Sequence, residues 1–187
     1  MLDETTARAT VTAAADRLFY ARGVQSVGMD AVRAEAGVSL KRIYALFPSK
    51  EDLVVAVLEG RTRQWSDGLE RSAATAATPR DRVLAVFDFL DTWFREDGFR
   101  GCAFINSFGE LGATSPRVAD AVREHKESFQ RYVLSLVRDA GLPDAVALQV
   151  VLLAEGAQTT AAITHDADVA REARSAAAAL LAAAVAA

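Results

Sequence analysis

Residues 28–50 have the sequence GMDAVRAEAGVSLKRIYALFPSK, a pattern of two short helices joined by a glycine turn. Gly37 is typical of a helix C-cap, because glycine adopts a positive φ at little cost. Ser39 can then cap the second helix through its hydroxyl. In the first helix, three apolar residues have the three- and four-residue spacing of one helix side: Met29, Val32 and Ala36.

The second helix carries apolar and basic side chains on different sides. Ile43 and Phe47 lie on one side, whereas Lys41 and Arg42 lie elsewhere. The helix is expected to end before Pro48, because proline disfavours helical geometry in the residue ahead of it. Two short helices around a tight turn form a helix-turn-helix, whose second helix enters the DNA major groove. The stretch therefore predicts a DNA-binding element.

The composition indicates a basic tip on an acidic body. The 187 residues are 51% hydrophobic and carry a net charge of −4, so the whole chain is not a general polyanion binder. Between Ser39 and Lys50 there are three basic residues and no acid. The single cysteine, Cys102, excludes an intramolecular disulfide and a multi-cysteine zinc site.

The termini indicate a soluble, cytoplasmic protein with no membrane partner. No basic-then-apolar leader opens the sequence. The apolar run Ser175–Ala187 is shorter than the roughly 20 residues that span a bilayer.

The predicted fold is all-α. Apolar residues recur with helical spacing along the chain, and no internal repeat or strand pattern of useful length is present. Leu18 and Phe19, in the helix predicted at about residues 5–22, are expected to pack against Val32 and Ile43. We expect a three-helix DNA-binding domain over residues 1–48 and a helical effector-binding and dimerisation domain over residues 49–187. Helices are predicted at about residues 5–22, 29–36, 40–47, 49–69, 79–97, 99–112, 115–140, 143–164 and from 166 onward.

The last two helices are more apolar than one small bundle needs. Val146–Ala162 is apolar on more than one side, and Ala176–Ala187 is rich in alanine. They can form ordinary core within the chain, or a two-fold, self-complementary dimer face. We favour the dimer, because paired helix-turn-helix units bind half-sites about one helical turn apart.

Residues from about Ala9 to Leu58 resemble the DNA-binding domain of the tetracycline-repressor (TetR/AcrR-like) family of regulators. The rest of the chain is similar to the family's variable helical half, notably at Gly101–Asn106 and Glu155–Ala157. The resemblance at the N-terminal end rests on Leu18-Phe19 with Gly23, Ala36-Gly37-Val38-Ser39, Ile43-Tyr44 and Phe47-Pro48-Ser49-Lys50.

The resemblance implies roles for seven residues in DNA binding. Arg42 is the expected main specifier, since arginine can make two bonds to guanine. Tyr44 and Lys50 are expected to contact the sugar-phosphate backbone, and Ser39 to add a phosphate bond while capping. Lys41 and Arg42 could instead be a solvated helix face, and the ring of Tyr44 could pack partly in the core. The side chains expected at base edges are those of Leu40, Lys41, Arg42 and Ala45.

The sequence departs from the family pattern at several positions. Val27 and Gly28 stand where hydroxyl residues are usual, so a cap and a phosphate contact are in question. Arg33 replaces the small residue common where the two helices cross. Ala45 and Leu46 replace polar or aromatic residues, which places more of the readout on Lys41 and Arg42.

The resemblance also implies a small-molecule effector bound between helices of the second domain. For the aromatic candidates, plain core packing is the alternative. Asn106 and Gln158 are more informative, because a buried amide needs partners. A neutral or apolar ligand is expected. Cys102 could be a redox switch only if it were an exposed thiolate. The candidate lining residues are Trp65, Trp93, Phe104, Asn106, Phe108, Phe129 and Gln158.

No catalytic residue, metal site or cofactor is predicted. His125 and His165 are far apart in sequence, and no phosphate loop or nucleophile motif occurs. The sequence thus predicts a dimeric, ligand-responsive regulator that binds a double-stranded DNA operator, with repression implied by the resemblance. The alternative is a helical ligand-binding or protein-interaction module without DNA binding. Salt-dependent binding to duplex DNA separates the two.

Overall fold

The computed structural model describes the backbone of residues 3–186 and the side chains of residues 3–184, and this part of the chain is all-helical. No strand occurs within it, so the predicted fold class is confirmed. Ala187, which the predicted last helix included, lies outside the described residues. The helices are α1 (Glu4–Arg22), α2 (Met29–Ala36), α3 (Leu40–Leu46), α4 (Lys50–Ala74), α5 (Pro79–Phe94), α6 (Ala103–Leu111), α7 (Pro116–Asp139), α8 (Ala145–Thr164) and α9 (Val169–Ala186).

Helices α6 and α9 begin later than predicted by more than two residues, each for a local reason. Gly101 has a φ of 81°, which lies outside the helical region, so α6 starts at Ala103 and not near Phe99. Ahead of α9, His165 has a φ of 57°, and the carboxylate of Asp166 accepts a hydrogen bond from Asp168 N at 2.9 Å. That turn delays the helix to Val169.

Contacts divide the chain into two compact units. The first contains the described residues up to Arg63 together with Ala103–Glu124. The second contains Gln64–Cys102 and the described residues from His125 onward. Helices α4 and α7 each contribute residues to both units. The functional boundary expected between residues 48 and 49 stays a prediction.

In the first unit, α1 packs against α2 and α3. The predicted apolar face of α1 is buried, with Leu18 and Phe19 less than a tenth exposed. Val32 of α2, Ile43 of α3 and Phe47 are fully buried. Burial of each such side chain contributes about 1.5–3 kcal/mol, which is enough to hold two helices of eight and seven residues that would not be stable alone.

The start of α4 is fixed by reciprocal hydrogen bonds between Ser49 and Asp52. Asp52 N donates to Ser49 Oγ at 3.1 Å, and Ser49 N donates to Asp52 Oδ2 at 3.0 Å. These bonds form a capping box, with Ser49 as the N-cap and an acid three residues on. It begins α4 directly after Phe47-Pro48, so the long helix is tied closely to α3.

The second unit has its core between α5, α8 and α9. Phe87, Leu90 and Val150 are fully buried there. Trp65 lies at the centre of an aromatic cluster, with its ring centroid 5.1 to 5.9 Å from those of four neighbours. Those neighbours are Phe89, Trp93, His125 and Phe129.

One described helix, Ala145–Thr164, is long and apolar enough to cross a membrane by length and composition. A core helix of a soluble protein has the same character, and 44% of this segment is buried within the structure. Its Val150, Ala154 and Ala161 are core residues. A single helix of this kind is weak evidence for a membrane span.

Candidate nucleic-acid interface

The turn between α2 and α3 has the geometry of a helix-turn-helix. Gly37 has a φ of 64° and donates its N–H to Arg33 O at 3.0 Å, which closes α2. Val38 is buried in the turn. Ser39 is extended, and its hydroxyl oxygen accepts a hydrogen bond from Arg42 N at 3.3 Å. Both the glycine C-cap and the serine N-cap predicted from the sequence are confirmed.

The candidate DNA-contacting residues of α3 lie on the side away from the core. Ile43 and Leu46 are buried and hold the helix against the rest of the first unit. The side opposite carries the predicted set: Ser39, Lys41, Tyr44 and Ala45 are exposed, and Leu40 and Arg42 are half-exposed. Tyr44 is 44% exposed, which leaves part of the residue open to solvent and is compatible with partial packing of its ring.

The two cations of α3 have no acidic partner in the described part of the chain. Arg17 and Arg33, in the neighbouring α1 and α2, are paired with Glu35 at 2.9 Å and Asp30 at 3.3 Å. No ion pair within residues 3–184 involves Lys41 or Arg42. Their positive charge is therefore available to phosphates or base edges.

Lys50 is held differently from Lys41 and Arg42. Its Nζ donates a hydrogen bond to Val24 O at 2.6 Å and lies 5.9 Å from the ring centroid of Phe19. Burial lowers the pKa of Lys50, and the nearby Glu110 carboxylate partly opposes that shift. The phosphate contact expected for Lys50 stays a prediction, and it requires the ammonium to reach beyond Val24.

The departures from the family pattern have visible consequences. Gly28 occupies the N-cap of α2 and supplies no side-chain hydrogen bond, while Val27 is buried. Arg33 is half-exposed and donates to Asp30 at 3.3 Å. That bond places its guanidinium beside Asp30, one turn earlier on the same helix.

Sequence reasoning missed the role of Glu110. Its carboxylate accepts hydrogen bonds from Val24 N at 3.0 Å and Gln25 N at 2.7 Å, and its carbonyl accepts one from Gln25 Nε2 at 2.5 Å. We call this set of bonds the Glu110 clasp. It holds the turn between α1 and α2 from a helix some 85 residues later in the chain. No local pattern could have indicated it.

A second missed contact supports the end of α3. Arg8 Nη1 donates to Leu46 O at 2.8 Å, and its guanidinium lies 4.3 Å from the ring centroid of Phe47. The arginine thus satisfies a carbonyl that the short helix leaves unpaired at its C-terminus.

The seven candidate effector-binding residues fall in both units. Phe104, Asn106 and Phe108 belong to the first unit, where Phe104 is buried but Phe108 is 54% exposed. The burial expected for Asn106 is wrong: this residue of α6 is exposed. The other four belong to the second unit: Trp65, Trp93, Phe129 and Gln158.

Two polar atoms in the second unit are buried without a hydrogen-bond partner. They are the indole Nε1 of Trp65 and the amide Oε1 of Gln158. Gln158 is 1% exposed, and its Nε2 donates to Ala154 O at 3.3 Å. Unpaired buried polar atoms are rare in folded proteins and call for a ligand or water.

Lys126 contacts one residue of each of the two later stretches that resemble the family, Gly101–Asn106 and Glu155–Ala157. Its Nζ lies 3.4 Å from Cys102 Sγ and donates to both Glu155 oxygens at 2.8 and 2.7 Å. Cys102 is 6% exposed, which favours the inert interpretation over a redox switch. The described residues contain no group of three or more metal-ligating side chains that could hold an ion.

These features define a class: an all-helical protein whose helix-turn-helix carries two cations without an acidic partner in the described chain, followed in sequence by a longer helical region. Two family models match the chain in the same order. Residues 11–57 match the N-terminal model of the bacterial regulatory proteins of the tetR family. Residues 79–177 match a tetracyclin repressor-like C-terminal domain. The chain belongs to the TetR family of bacterial regulatory proteins, which are regulators and not enzymes.

Individual relatives agree with the family assignment. The HTH-type transcriptional activator FasR of Mycolicibacterium smegmatis is 33% identical over 140 residues, covering 72% of this chain and 61% of the relative. The HTH-type transcriptional regulator BetI of Rhizobium meliloti is 33% identical over 92 residues, covering 49% and 44%. The chain therefore spans less than two thirds of the length of these curated relatives.

A solved structure of a TetR-family transcriptional regulator from Streptomyces coelicolor matches over nearly the whole length. It is 31% identical, with a TM-score of 0.87 over 96% of each chain. A second, a putative regulator of the same family from Streptomyces avermitilis, is 28% identical with a TM-score of 0.83 over 95% of this chain and 97% of its own.

Proposed function

We propose that this protein is a transcriptional repressor that binds a palindromic DNA operator as a homodimer and releases it on binding a small molecule. The observation that carries the proposal is the outer side of α3, where Lys41 and Arg42 are accessible and have no acidic partner in the described chain. Cytoplasmic localisation and the absence of a membrane partner are part of the proposal.

In the proposed complex, α3 lies in the major groove. Arg42 donates to guanine O6 and N7, which is worth about 1–3 kcal/mol of discrimination. Lys41 contacts a neighbouring base edge or phosphate. Leu40 and Ala45 contact thymine methyl groups, and the hydroxyls of Ser39 and Tyr44 donate to phosphates together with Lys50.

The exposed side of α8 supports a dimer. Leu148, Leu152 and Ile163 are 56%, 62% and 74% exposed, and Gly156 is exposed between them. With spacings of four, four and seven residues, they form one stripe along the helix. Large apolar side chains along one stripe favour a self-complementary interface, in which two copies bury the same surface.

The second unit offers a candidate effector site. The indole N–H of Trp65 and the amide oxygen of Gln158 are a buried donor and a buried acceptor without partners. The aromatic cluster around Trp65 supplies apolar surface for the same ligand. A neutral molecule with its own hydrogen-bonding groups fits both features.

The response to ligand is proposed to pass through α4. This helix begins with the Ser49–Asp52 capping box next to α3 and ends in the second unit, where it carries Trp65. A ligand that binds better to a form with a displaced α4 shifts the population toward that form. A difference of a few kcal/mol in its affinity for the two forms is enough to release the operator.

Selection of bound duplexes from a random pool tests the function. The full-length protein is expected to enrich a palindrome with half-sites about one helical turn apart. A reporter gene with that palindrome in its promoter distinguishes repression from the activation named for the relative FasR. Absence of duplex binding at low salt would overturn the proposal in favour of a module that does not bind DNA.

A further inference from the structure

The first unit contains a cavity between α1, α4 and α6, with a volume of about 140 Å³. Its apolar wall is formed by Phe19, Val54, Val57 and Leu58. An engineered cavity of about 150 Å³ with apolar walls takes up benzene. The space is therefore large enough for a single-ring molecule.

Ser107 is the polar side chain in this cavity that is available to bond a ligand. It lines the wall and is only 6% exposed. Its hydroxyl makes no hydrogen bond to any residue within the described part of the chain. The hydroxyl faces the cavity and can bond a molecule that enters it, and one such hydrogen bond contributes about 0.5–1.5 kcal/mol.

The charged side chains of the wall are already bonded to other groups of the protein. Asp16 accepts a hydrogen bond from Arg61 Nε, and the Arg61 guanidinium lies 4.0 Å from the ring centroid of Tyr20. Both carboxylate oxygens of Glu110 accept backbone N–H groups in the Glu110 clasp. A charged ligand would lose its hydration without gaining a free counter-charge, so the cavity favours a neutral one.

We propose that this cavity binds a neutral molecule of single-ring size with one hydroxyl group, held by Ser107. The site is separate from the Trp65 and Gln158 residues of the second unit, and it does not depend on the proposed function. Asn106 also lines the cavity and is exposed to solvent.

The test titrates the full-length protein with 4-fluorobenzyl alcohol, followed by fluorine NMR. We expect saturable binding, weakened about three- to tenfold by Ser107→Ala, because one hydrogen bond is lost. Ser107→Leu fills the space and is expected to abolish binding. Ser66→Ala, an exposed serine of α4, is the matched control and is expected to bind as the unmodified protein does.

Two analogues separate the roles of charge and hydroxyl. With 4-fluorotoluene, which lacks the hydroxyl, Ser107→Ala is expected to leave affinity unchanged. With 4-fluorobenzoate, binding is expected to be at least about tenfold weaker than that of the alcohol, because the wall offers no free cation.

The proposal is overturned if no saturable binding occurs up to millimolar concentration. It is also overturned if Ser107→Ala binds the alcohol as tightly as Ser66→Ala does, since the molecule then lies elsewhere. Should Ser107→Leu not fold, Ala103→Met, at another position of the wall, serves as the filling variant and is expected to weaken binding of the alcohol and the toluene alike.

Discussion

Lys50 Nζ donates a hydrogen bond to the backbone carbonyl of Val24, with 2.6 Å between the nitrogen and the oxygen. The backbone N–H of the same Val24 donates to the Glu110 carboxylate at 3.0 Å. The turn between α1 and α2 is thus held on both its acceptor and its donor sides. Lys50 is the first residue of α4, and Glu110 belongs to α6. The turn that they hold leads directly into the helix-turn-helix.

Replacing Lys50 with alanine is expected to weaken operator binding and to flatten its salt dependence. If the ammonium reaches a phosphate in the complex, the slope of log K against log salt falls by about one for each half-site. Lys50→Met keeps the apolar stem and is the control for packing. An unchanged slope with reduced affinity would show that Lys50 acts only by holding Val24.

Replacing Glu110 with alanine is expected to loosen the turn between α1 and α2. Val24 N and Gln25 N lose their acceptors, so their amide hydrogens should exchange faster with solvent. The global free energy of unfolding should fall by about 1–3 kcal/mol, from two lost hydrogen bonds to a charged group. Amide exchange measured by NMR checks the first expectation and urea unfolding the second.

The matched control for that variant is Glu124→Ala, an exposed glutamate of α7 in the same unit. It should leave the exchange of Val24 and Gln25 unchanged. Equal protection of both amides in the Glu110 variant would contradict the role assigned to the clasp.

Replacing Arg42 with alanine is expected to relax base preference at one position of each half-site. The loss of two hydrogen bonds to guanine should reduce discrimination there by about 1–3 kcal/mol, measured by competition between operator variants. Arg17→Ala is the control, because Arg17 is engaged with Glu35 and lies on α1. A uniform loss of affinity for all sequences would assign Arg42 to a phosphate instead.

Replacing Leu152 with glutamate is expected to disrupt the dimer. The leucine is 62% exposed in the single chain, so the variant should fold, but two like charges would meet across a two-fold interface. Sedimentation velocity should show monomer at concentrations where the unmodified protein is a dimer. Ile105→Glu, 39% exposed on α6, should remain dimeric.

His125 should make stability fall as the pH drops from 7 to 5. Burial, and to a smaller extent Lys126, lowers the pKa of His125 to about 3, from an ordinary value near 6.5. Below pH 6.5 the unfolded chain binds a proton that the folded chain does not. The stabilisation is complete above 6.5 and is lost progressively toward pH 3.

Between pH 7 and 5 this loss amounts to about 1–2 kcal/mol. Urea unfolding at the two pH values measures it. His125→Phe keeps an aromatic ring next to Trp65 and should have a smaller difference between the two pH values. An equal difference in both proteins would show that other groups account for the pH dependence.

The sequence alone determined the all-α fold and the helix-turn-helix, because both rest on local signals. The glycine C-cap at Gly37, the Ser39 cap and the Ser49–Asp52 box act within four residues of chain, and the spacing of apolar residues marks the buried side of each helix. The outward position of Lys41 follows from the same spacing, since Ile43 must face the core.

Tertiary structure alone decided which distant residues hold the helix-turn-helix in place. Glu110 meets Val24 across 86 residues, and Arg8 meets Leu46 across 38, contacts that no local spacing encodes. The exposure of Asn106 and the unpaired amide oxygen of Gln158 likewise depend on which neighbours each helix acquires on packing. Local chemistry determines where helices begin and end, whereas cavities and buried polar groups arise only when distant helices are brought together.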